Sequence, residues 1–319
     1  MLKICVLTLF ALLPAADCAA AGNEGVSGAQ FLRIGVDARS AALGETGAVI
    51  SGVQGIFYNP AGAAAIKGSE LYFSQVSWLM DTSYSNLAFA KKTGAGVFGL
   101  AVSYLSNPST DKYDKFGTRL SGSYSAADMA VTLGYSRALA AGTDFGANIK
   151  YISSRLDTES ATALALDTGI KYAAIPGKLD FGFALQNAGT KMTYLDEGDS
   201  LPLNIKFGGQ YTVNLAKARS EKKDIAFYAD LNHMKDSGVY ANVGIDLMSV
   251  YDRTTNFSIR AGYRTNAGGK SAGVSAGLGL DMTAYLVEYA YAPMGDLGNT
   301  HRFSLTFKFG DKNGKAVRR

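Results

Sequence analysis

From Leu71 onward the chain alternates aromatic or aliphatic residues with small or polar residues, and turn residues interrupt the alternation. The pattern is clearest near the C-terminus, where apolar residues at 303, 305, 307 and 309 alternate with polar residues at 302, 304, 306 and 308. Successive side chains of a β-strand point to opposite faces. Each such segment therefore predicts a strand with one apolar and one polar face.

The alternation predicts about fourteen strands. They lie near 69–78, 83–93, 95–106, 124–139, 143–156, 161–174, 178–189, 201–213, 224–234, 238–250, 256–266, 272–282, 284–294 and 300–310. An even number of strands is usual for single-chain barrels of bacterial outer membranes. A secreted β-sandwich would alternate in the same way, with its polar residues facing water. Charges restricted to one face of the strands favour the closed barrel, in which no strand edge is exposed.

The lengths of the connections support a barrel with two different rims. The segment 22–68, which precedes the strands, is called the plug below. If the plug and both chain ends lie at one rim, the long connections 107–123 and 190–200 fall at the other. Long outer loops and short inner turns are typical of outer-membrane barrels. The basic connection 214–223 departs from this expectation, because it is long and falls at the inner rim.

Residues 1–21 are predicted to be a secretory signal peptide. Lys3 supplies the positive n-region, and an apolar core and the small residues 19–21 follow. Both cysteines, Cys5 and Cys18, lie in this segment, so the mature chain would contain no thiol. No later apolar run has the length that a membrane helix needs. These features predict an exported protein of the bacterial outer membrane, surrounded by its lipid.

Between the signal peptide and the strands lies a segment too rich in Gly and Ala to form a strand surface. Asn59 is predicted to cap a short helix that begins at Pro60, since proline suits the first helical position. The predicted plug motif consists of Asn59, Pro60, Ala61 and Gly62. The predicted organisation is a signal peptide at 1–21, a plug at 22–68, a barrel at 69–310 and a basic tail at 311–319. The predicted fold is thus all-β: a transmembrane antiparallel barrel of about fourteen strands, with an N-terminal plug containing a short helix.

The sequence FLRIGVDARSAALG, followed about twenty residues later by FYNPAGAA, resembles the N-terminal signature of the PorV/PorQ family. That family belongs to the wider group of outer-membrane barrels related to the FadL long-chain fatty-acid transporters. The signature residues are Phe31, Leu32, Arg33, Ile34, Gly35 and Arg39. In place of the acidic, alanine-rich segment expected before the Asn-Pro-Ala turn, this chain has SGVQG at 51–55.

Charged residues on the predicted inner faces are candidates for a functional lumen. They are Lys150, Lys206, Asp246, Arg260, Glu288, Arg302 and Lys308. A charge on the lipid face would be costly, so we expect these side chains to line the lumen or to pair within it.

Other chemical signals are weak. The GxGxxG match at 94–99 opens a strand, whereas a dinucleotide site needs a helix after the glycines. The two histidines, His233 and His301, lack the spacing of metal ligands. The net charge of +4 is spread along the chain and forms no nucleic-acid footprint. We therefore expect no enzyme, no cofactor, no metal site and no nucleic-acid partner.

Two functions remain open, beside a purely structural role. The PorV/PorQ resemblance implies a barrel that binds secretion-system proteins or secreted substrates in type IX secretion. The FadL-like relatives imply a channel for hydrophobic small molecules. Fold alone cannot decide between them, and the closer match of the signature favours the first.

Overall fold

The computed structural model describes residues 27–215, 223–252, 254–265, 273–295 and 298–310. The predicted signal peptide, the basic tail and most of the connection 214–223 lie outside the described residues. No helix in the described part of the chain is long and apolar enough to cross a membrane.

Fourteen antiparallel strands form a closed barrel. They are β1 (Ser69–Ser77), β2 (Ser83–Lys92), β3 (Val97–Ser106), β4 (Ala126–Ala138), β5 (Thr143–Leu156), β6 (Glu159–Ile175), β7 (Leu179–Gly189), β8 (Asn204–Asn214), β9 (Lys223–Met234), β10 (Gly238–Val250), β11 (Thr255–Arg264), β12 (Gly273–Met282), β13 (Tyr285–Pro293) and β14 (Asn299–Phe309). Each strand pairs with its sequence neighbours, and β1 pairs with β14 to close the sheet. The predicted fold class is confirmed, and predicted and observed strand ends differ by three residues at most.

Two short hairpins within the connections were not predicted. One pairs Thr110–Tyr113 with Arg119–Tyr124, and the other pairs Met192–Thr193 with Gly198–Asp199. Both are short, and they lack the sustained alternation by which a wall strand is recognised.

The two faces of the wall differ as the alternation predicts. On β14, Arg302, Ser304 and Thr306 are buried in the lumen, whereas Phe303 and Phe309 are exposed on the outside. The outer face carries mainly Leu, Ile, Phe and Tyr side chains. An apolar outer band of this kind fits a barrel in a lipid bilayer.

The rim where β1 begins and β14 ends is called the near rim here, and the opposite rim is the far rim. The longest described connections, 107–125 and 190–203, both lie at the far rim. Near-rim connections such as 139–142 and 176–178 are short turns. The predicted asymmetry of the loops is therefore present.

The plug crosses the lumen from rim to rim. At the far rim the Gly28 amide donates to the Ser200 carbonyl at 3.0 Å, and the segment reaches the near rim at Gly68. The assumption that the plug and both chain ends share one rim is therefore wrong for the first described residues. The physical reason is length, because the stretch 28–68 has enough residues to traverse the barrel.

In its described residues, the plug contains four short helical segments. They are a 3-10 turn at Gln30–Arg33, α1 (Ala38–Ala42), α2 (Gly55–Tyr58) and a 3-10 helix at Pro60–Ala65. A further 3-10 turn, Leu79–Asp81, connects β1 and β2. Of the helical segments in the plug, only the one at Pro60 was predicted. The side chain of Asp37 caps α1, a start signal that the prediction did not use, whereas the segments at Gln30–Arg33 and Gly55–Tyr58 have no side-chain cap.

Glycines on the wall let the plug backbone approach closely. Helix α1 packs against β11 to β14, and the 3-10 helix at Pro60–Ala65 packs against β4 to β6 on the other side. A Cβ atom at Gly146 would lie 2.5 Å from the Pro60 carbonyl oxygen, and one at Gly262 would lie 2.7 Å from Leu43 Cα. These distances are below van der Waals contact, so only glycine fits at either position.

Candidate functional site: the plugged lumen

Side chains of the wall bind the plug through its backbone. Asp230 Oδ2 accepts from the amides of Gly47 at 2.7 Å and Ala48 at 2.9 Å. On β14, the Ser304 hydroxyl accepts from the Ala38 amide at 2.9 Å. Buried backbone groups need hydrogen-bond partners. These bonds supply partners to the amides of the plug and also fix the plug in position.

Further bonds run from the wall to carbonyl groups of the plug. Asn148 Nδ2 donates to the Ile56 carbonyl at 2.8 Å, and the Ser136 hydroxyl donates to the Pro60 carbonyl at 2.6 Å. The plug is thus tied to β4 and β5 on one side of the lumen and to β9 and β14 elsewhere.

Asn59 of the predicted plug motif is fully buried and uses both ends of its side-chain amide. Its Oδ1 accepts from the Ala61 amide at 3.1 Å, the capping geometry of a helix start at Pro60. Its Nδ2 donates to the carbonyls of Ala48 at 2.5 Å and Ile170 at 3.2 Å. Asn59 therefore joins two segments of the plug to the wall.

Gly62, the last residue of the motif, lies against another part of the plug. Its amide donates to the Asn59 carbonyl at 2.9 Å, and a Cβ atom there would collide with the Ile50 carbonyl. Pro60 and Ala61 are buried beside it. At this motif, two segments of the plug backbone pack directly against each other.

The residues of the sequence signature lie in two places. Leu32, Arg33, Ile34 and Gly35 line a cavity on the far-rim side of the plug, called the far cavity below. Phe31 packs edge-on against Tyr84 beside it.

Arg39 is separate from these five residues. Its guanidinium donates to the Tyr228 hydroxyl at 3.0 Å, and it lines a second cavity, called the near cavity below. The structure thus divides the signature between the two cavities.

Three of the candidate lumen charges form one buried cluster. Arg260 binds Asp246 at 3.0 Å through Nε and Glu288 at 2.8 Å through Nη1. All three side chains are almost completely enclosed. A buried cation with two carboxylate partners has a structural role in the folded barrel, because removing one of these groups would leave the others buried without their full set of partners.

The other four candidate charges are separate from that cluster. Lys150 binds Asp167 at 2.8 Å, Lys206 lies 4.0 Å from Asp230, and Arg302 binds Glu45 of the plug. Lys308 pairs with Asp281 near the near rim, where both side chains are partly exposed.

Glu45 is the one carboxylate of the plug that faces the far cavity. Burial alone would raise the pKa of Glu45, but the nearby guanidinium groups of Arg302 and Arg264 outweigh burial. The pKa of Glu45 therefore lies below its ordinary value, and this side chain is ionised at neutral pH.

Each cavity has a volume of about 80 Å³. Glu45 lines the far cavity, whereas its neighbour Thr46 lines the near cavity. The plug segment 43–50 thus lies between them. Any solute passing through the lumen along its axis has to pass this segment.

Several residues of the site were not predicted from the sequence. Asp230, Asp167 and Asn242 all lie on inner faces, and the alternation of β9, β6 and β10 places them there. Strand parity could therefore have found them. Glu45 could not be found in this way, because it belongs to the irregular plug.

Comparison with known proteins gives a likeness of fold. No family model and no curated protein sequence matches the chain. Among solved structures, the chain is similar to "CymD monoaromatic hydrocarbon channel", with 11% sequence identity and a TM-score of 0.57 over 86% of this chain and 98% of that one.

Two further structures agree with this likeness. The Pseudomonas putida toluene transporter TodX matches with 11% identity and a TM-score of 0.56 over 84% of this chain and 95% of that chain. A Pseudomonas aeruginosa FadL homologue matches with 9% identity and a TM-score of 0.52 over 86% of this chain and 98% of that chain. The fold is therefore that of the FadL-like barrels. At these identities the likeness is one of architecture alone.

Proposed function

We propose that this protein is a FadL-like channel of the bacterial outer membrane, through which small molecules pass a plugged barrel. The observation that carries the proposal is the lumen itself. It holds two cavities, one on each side of the plug segment 43–50. A barrel with a purely structural role has no need of enclosed space on both sides of a plug.

The outer face supports the membrane location. Large apolar side chains such as Leu231, Ile259 and Leu278 are exposed at the middle of their strands. Exposing so much apolar surface to water is unfavourable, and lipid removes that cost. The neighbours described as hydrocarbon channels support passage of small molecules, whereas the class of molecule follows from the lining of this chain's own cavities.

Transport by the purified protein tests the proposal. We expect proteoliposomes containing the folded barrel to admit small solutes faster than empty liposomes, and deletion of residues 28–66 to increase that rate. The folded barrel is recognised by heat-modifiable mobility on gels. Recovery from cells as a soluble periplasmic protein, or proteoliposomes no leakier than empty ones for any small solute, would exclude a channel.

A second candidate is a partner-binding barrel of PorV/PorQ type, and the signature at 31–39 favours it. In this reading the partners are secretion-system proteins or secreted substrates. Purification of the native protein from outer membranes separates the two candidates. Stoichiometric association with secreted proteins supports the second, and isolation of a barrel without such partners supports the first.

A further inference from the structure

The wall of the far cavity carries an amide group whose orientation the plug fixes. Gln186 Nε2 donates to the Phe57 carbonyl at 3.1 Å. Because a carbonyl can only accept, the Oε1 atom of Gln186 faces the other way, where it accepts from Asn204 Nδ2 at 3.0 Å. Asn204 therefore turns its Oδ1 away from Gln186, and this oxygen has no donor among the described residues. Asn204 lines the cavity and is only 5% exposed.

Asn242 repeats this arrangement on β10. Its Nδ2 donates to the Glu45 carbonyl of the plug at 2.9 Å, which again fixes the orientation of the side-chain amide. Its Oδ1 has no donor within the described part of the chain, and the residue is 1% exposed. The far cavity thus contains two fixed acceptor groups without a donor. A buried acceptor left without a partner is unfavourable, so we expect the contents of the cavity to supply donors.

Four cations line the same cavity, and two of them, Arg33 and Lys150, form ion pairs with Asp236 and Asp167. Lys206 is buried, and its Nζ makes no hydrogen bond to any described residue; Asp230, at 4.0 Å, is its nearest carboxylate. Arg264 has no carboxylate within 4.0 Å in the described ranges; its guanidinium donates to Met294 Sδ at 3.9 Å, and the carboxylate of Glu45 lies farther away. Lys and Arg side chains carry three and five donors. These donors call for an acceptor of negative charge.

The size and the apolar lining residues of the cavity restrict the class of ligand further. A volume of about 80 Å³ accommodates roughly five to eight water-sized groups, at about 10–15 Å³ each. Leu32, Ile34 and Phe57 of the plug add apolar side chains to the lining of the cavity. The cavity therefore fits a short carbon skeleton whose polar groups all point towards the wall.

We propose that the far cavity binds a small hydroxy acid, and that this is the class of molecule the channel admits. The carboxylate of the ligand binds Lys206 and Arg264, and its hydroxyl groups donate to the Oδ1 atoms of Asn204 and Asn242. The inference rests on the proposed channel function and adds the substrate class. It sets this chain apart from a hydrocarbon channel, since a hydrocarbon would leave the Oδ1 atoms of Asn204 and Asn242 without donors.

Four probes of similar size test the chemistry. Glycerate carries a carboxylate and hydroxyls, butyrate only the carboxylate, glycerol only hydroxyls, and toluene neither. Isothermal titration of the full-length protein in detergent should show glycerate binding at least tenfold more tightly than each of the other three. Equal or tighter binding of butyrate, glycerol or toluene overturns the proposal, and so does the absence of glycerate binding, which would mean that the cavity holds water.

Matched variants locate the binding. Lys206→Met should weaken glycerate binding at least tenfold and leave glycerol unaffected. Asn204→Leu should weaken glycerate binding and leave butyrate unaffected, because only the hydroxyl acceptor is lost. Lys308→Met, a lysine of the lumen wall outside the far cavity, is the control and should bind glycerate as the native protein does. An equal loss in the control and in Lys206→Met would place the binding elsewhere.

Heat-modifiable mobility shows which variants are folded, and Asn204→Leu keeps the test decisive if Lys206→Met fails to fold. Solute entry into proteoliposomes separates the two claims. Entry of small solutes without preferential binding of glycerate overturns the hydroxy-acid site and leaves the channel standing. Glycerate binding without entry of any solute overturns the channel and leaves the site standing.

Discussion

The lumen has two levels that differ in the side chains facing inward. On six strands a glycine faces the lumen, and a polar residue faces it two or four positions farther along the strand towards the far rim. The pairs are Gly99 and Ser103, Gly134 and Thr132, Gly146 and Lys150, Gly182 and Gln186, Gly244 and Asn242, and Gly262 and Arg264. At the glycine level the plug backbone packs directly on the wall. At the polar level the side chains of the wall line the far cavity, and two of them, Gln186 and Asn242, bind carbonyl groups of the plug.

The comparison shows that one alternating pattern encodes both a packing surface for the plug and a cavity. In both levels every second residue faces the lumen, as strand geometry requires. Only the size and polarity of that residue differ. Glycine allows backbone to pack on backbone, whereas the longer polar side chains hold the plug away from the wall.

The largest expected effect lies at the boundary between the levels, where Arg302 binds Glu45. Arg302→Met should lower the free energy of unfolding by about 3–5 kcal/mol, because it leaves a buried carboxylate without its partner. Denaturant titration of the folded barrel in detergent measures this loss. The double variant with Glu45→Gln should recover most of it, and a double variant as unstable as Arg302→Met would show that the ion pair is not the cause.

The same pair sets a pH dependence. Because the pKa of Glu45 lies below its ordinary value of 4.5, its contribution to stability is complete above about pH 4.5. It is lost as the pH falls below 4.5 and through the pKa of the folded state. Glu45→Gln should therefore flatten the acid limb of the stability profile.

The next effect tests the glycine level. Gly262→Ala should destabilise the barrel by about 3 kcal/mol, since the new Cβ would press into the backbone at 43–44. Thermal unfolding followed by gel mobility measures the change. Gly94→Ala is the matched control, because a Cβ atom at Gly94 would meet no atom within 4 Å. Equal effects of the two substitutions would mean that the plug does not lie against the wall at Gly262.

A smaller effect is expected at Asn59. Asn59→Ala removes the cap and two donors, and should cost about 2 kcal/mol. Asn59→Asp keeps the cap acceptor but turns a carboxylate oxygen towards the carbonyls of Ala48 and Ile170, so it should be the worse of the two. The rate at which a protease cleaves the plug compares the two variants. An aspartate variant as resistant as the native protein would leave capping as the only role of Asn59.

The smallest effect is expected at the near rim. Lys308 and Asp281 are partly exposed, so Lys308→Gln should change the free energy of unfolding by no more than about 1 kcal/mol. Denaturant titration beside Arg302→Met gives the comparison. A loss comparable to that of Arg302→Met would contradict the difference in burial between the two ion pairs.

The wall could be predicted from the sequence, because a period of two is visible wherever one face is apolar. The parity that marked Lys206 as a lumen residue also marks Asp230 on the neighbouring strand. The path of the plug could not be predicted in this way, since the stretch 43–50 has no repeating pattern and is positioned by bonds to distant strands. The position of the cavity depends on that path, so the sequence alone could not show that Asn204 and Asn242 line it.

The bonds of the plug also constrain the order in which the barrel assembles. The amide of Ala38 binds Ser304 on β14, and the carbonyl of Pro60 binds Ser136 on β4, so the plug joins the last strand to an early one. The seam between β1 and β14 closes around it. A plug held on several sides by the backbone cannot be threaded into a finished cylinder. In the full-length chain the sheet therefore closes with the plug already inside it, and the plug holds the last strand and an early strand together across the lumen.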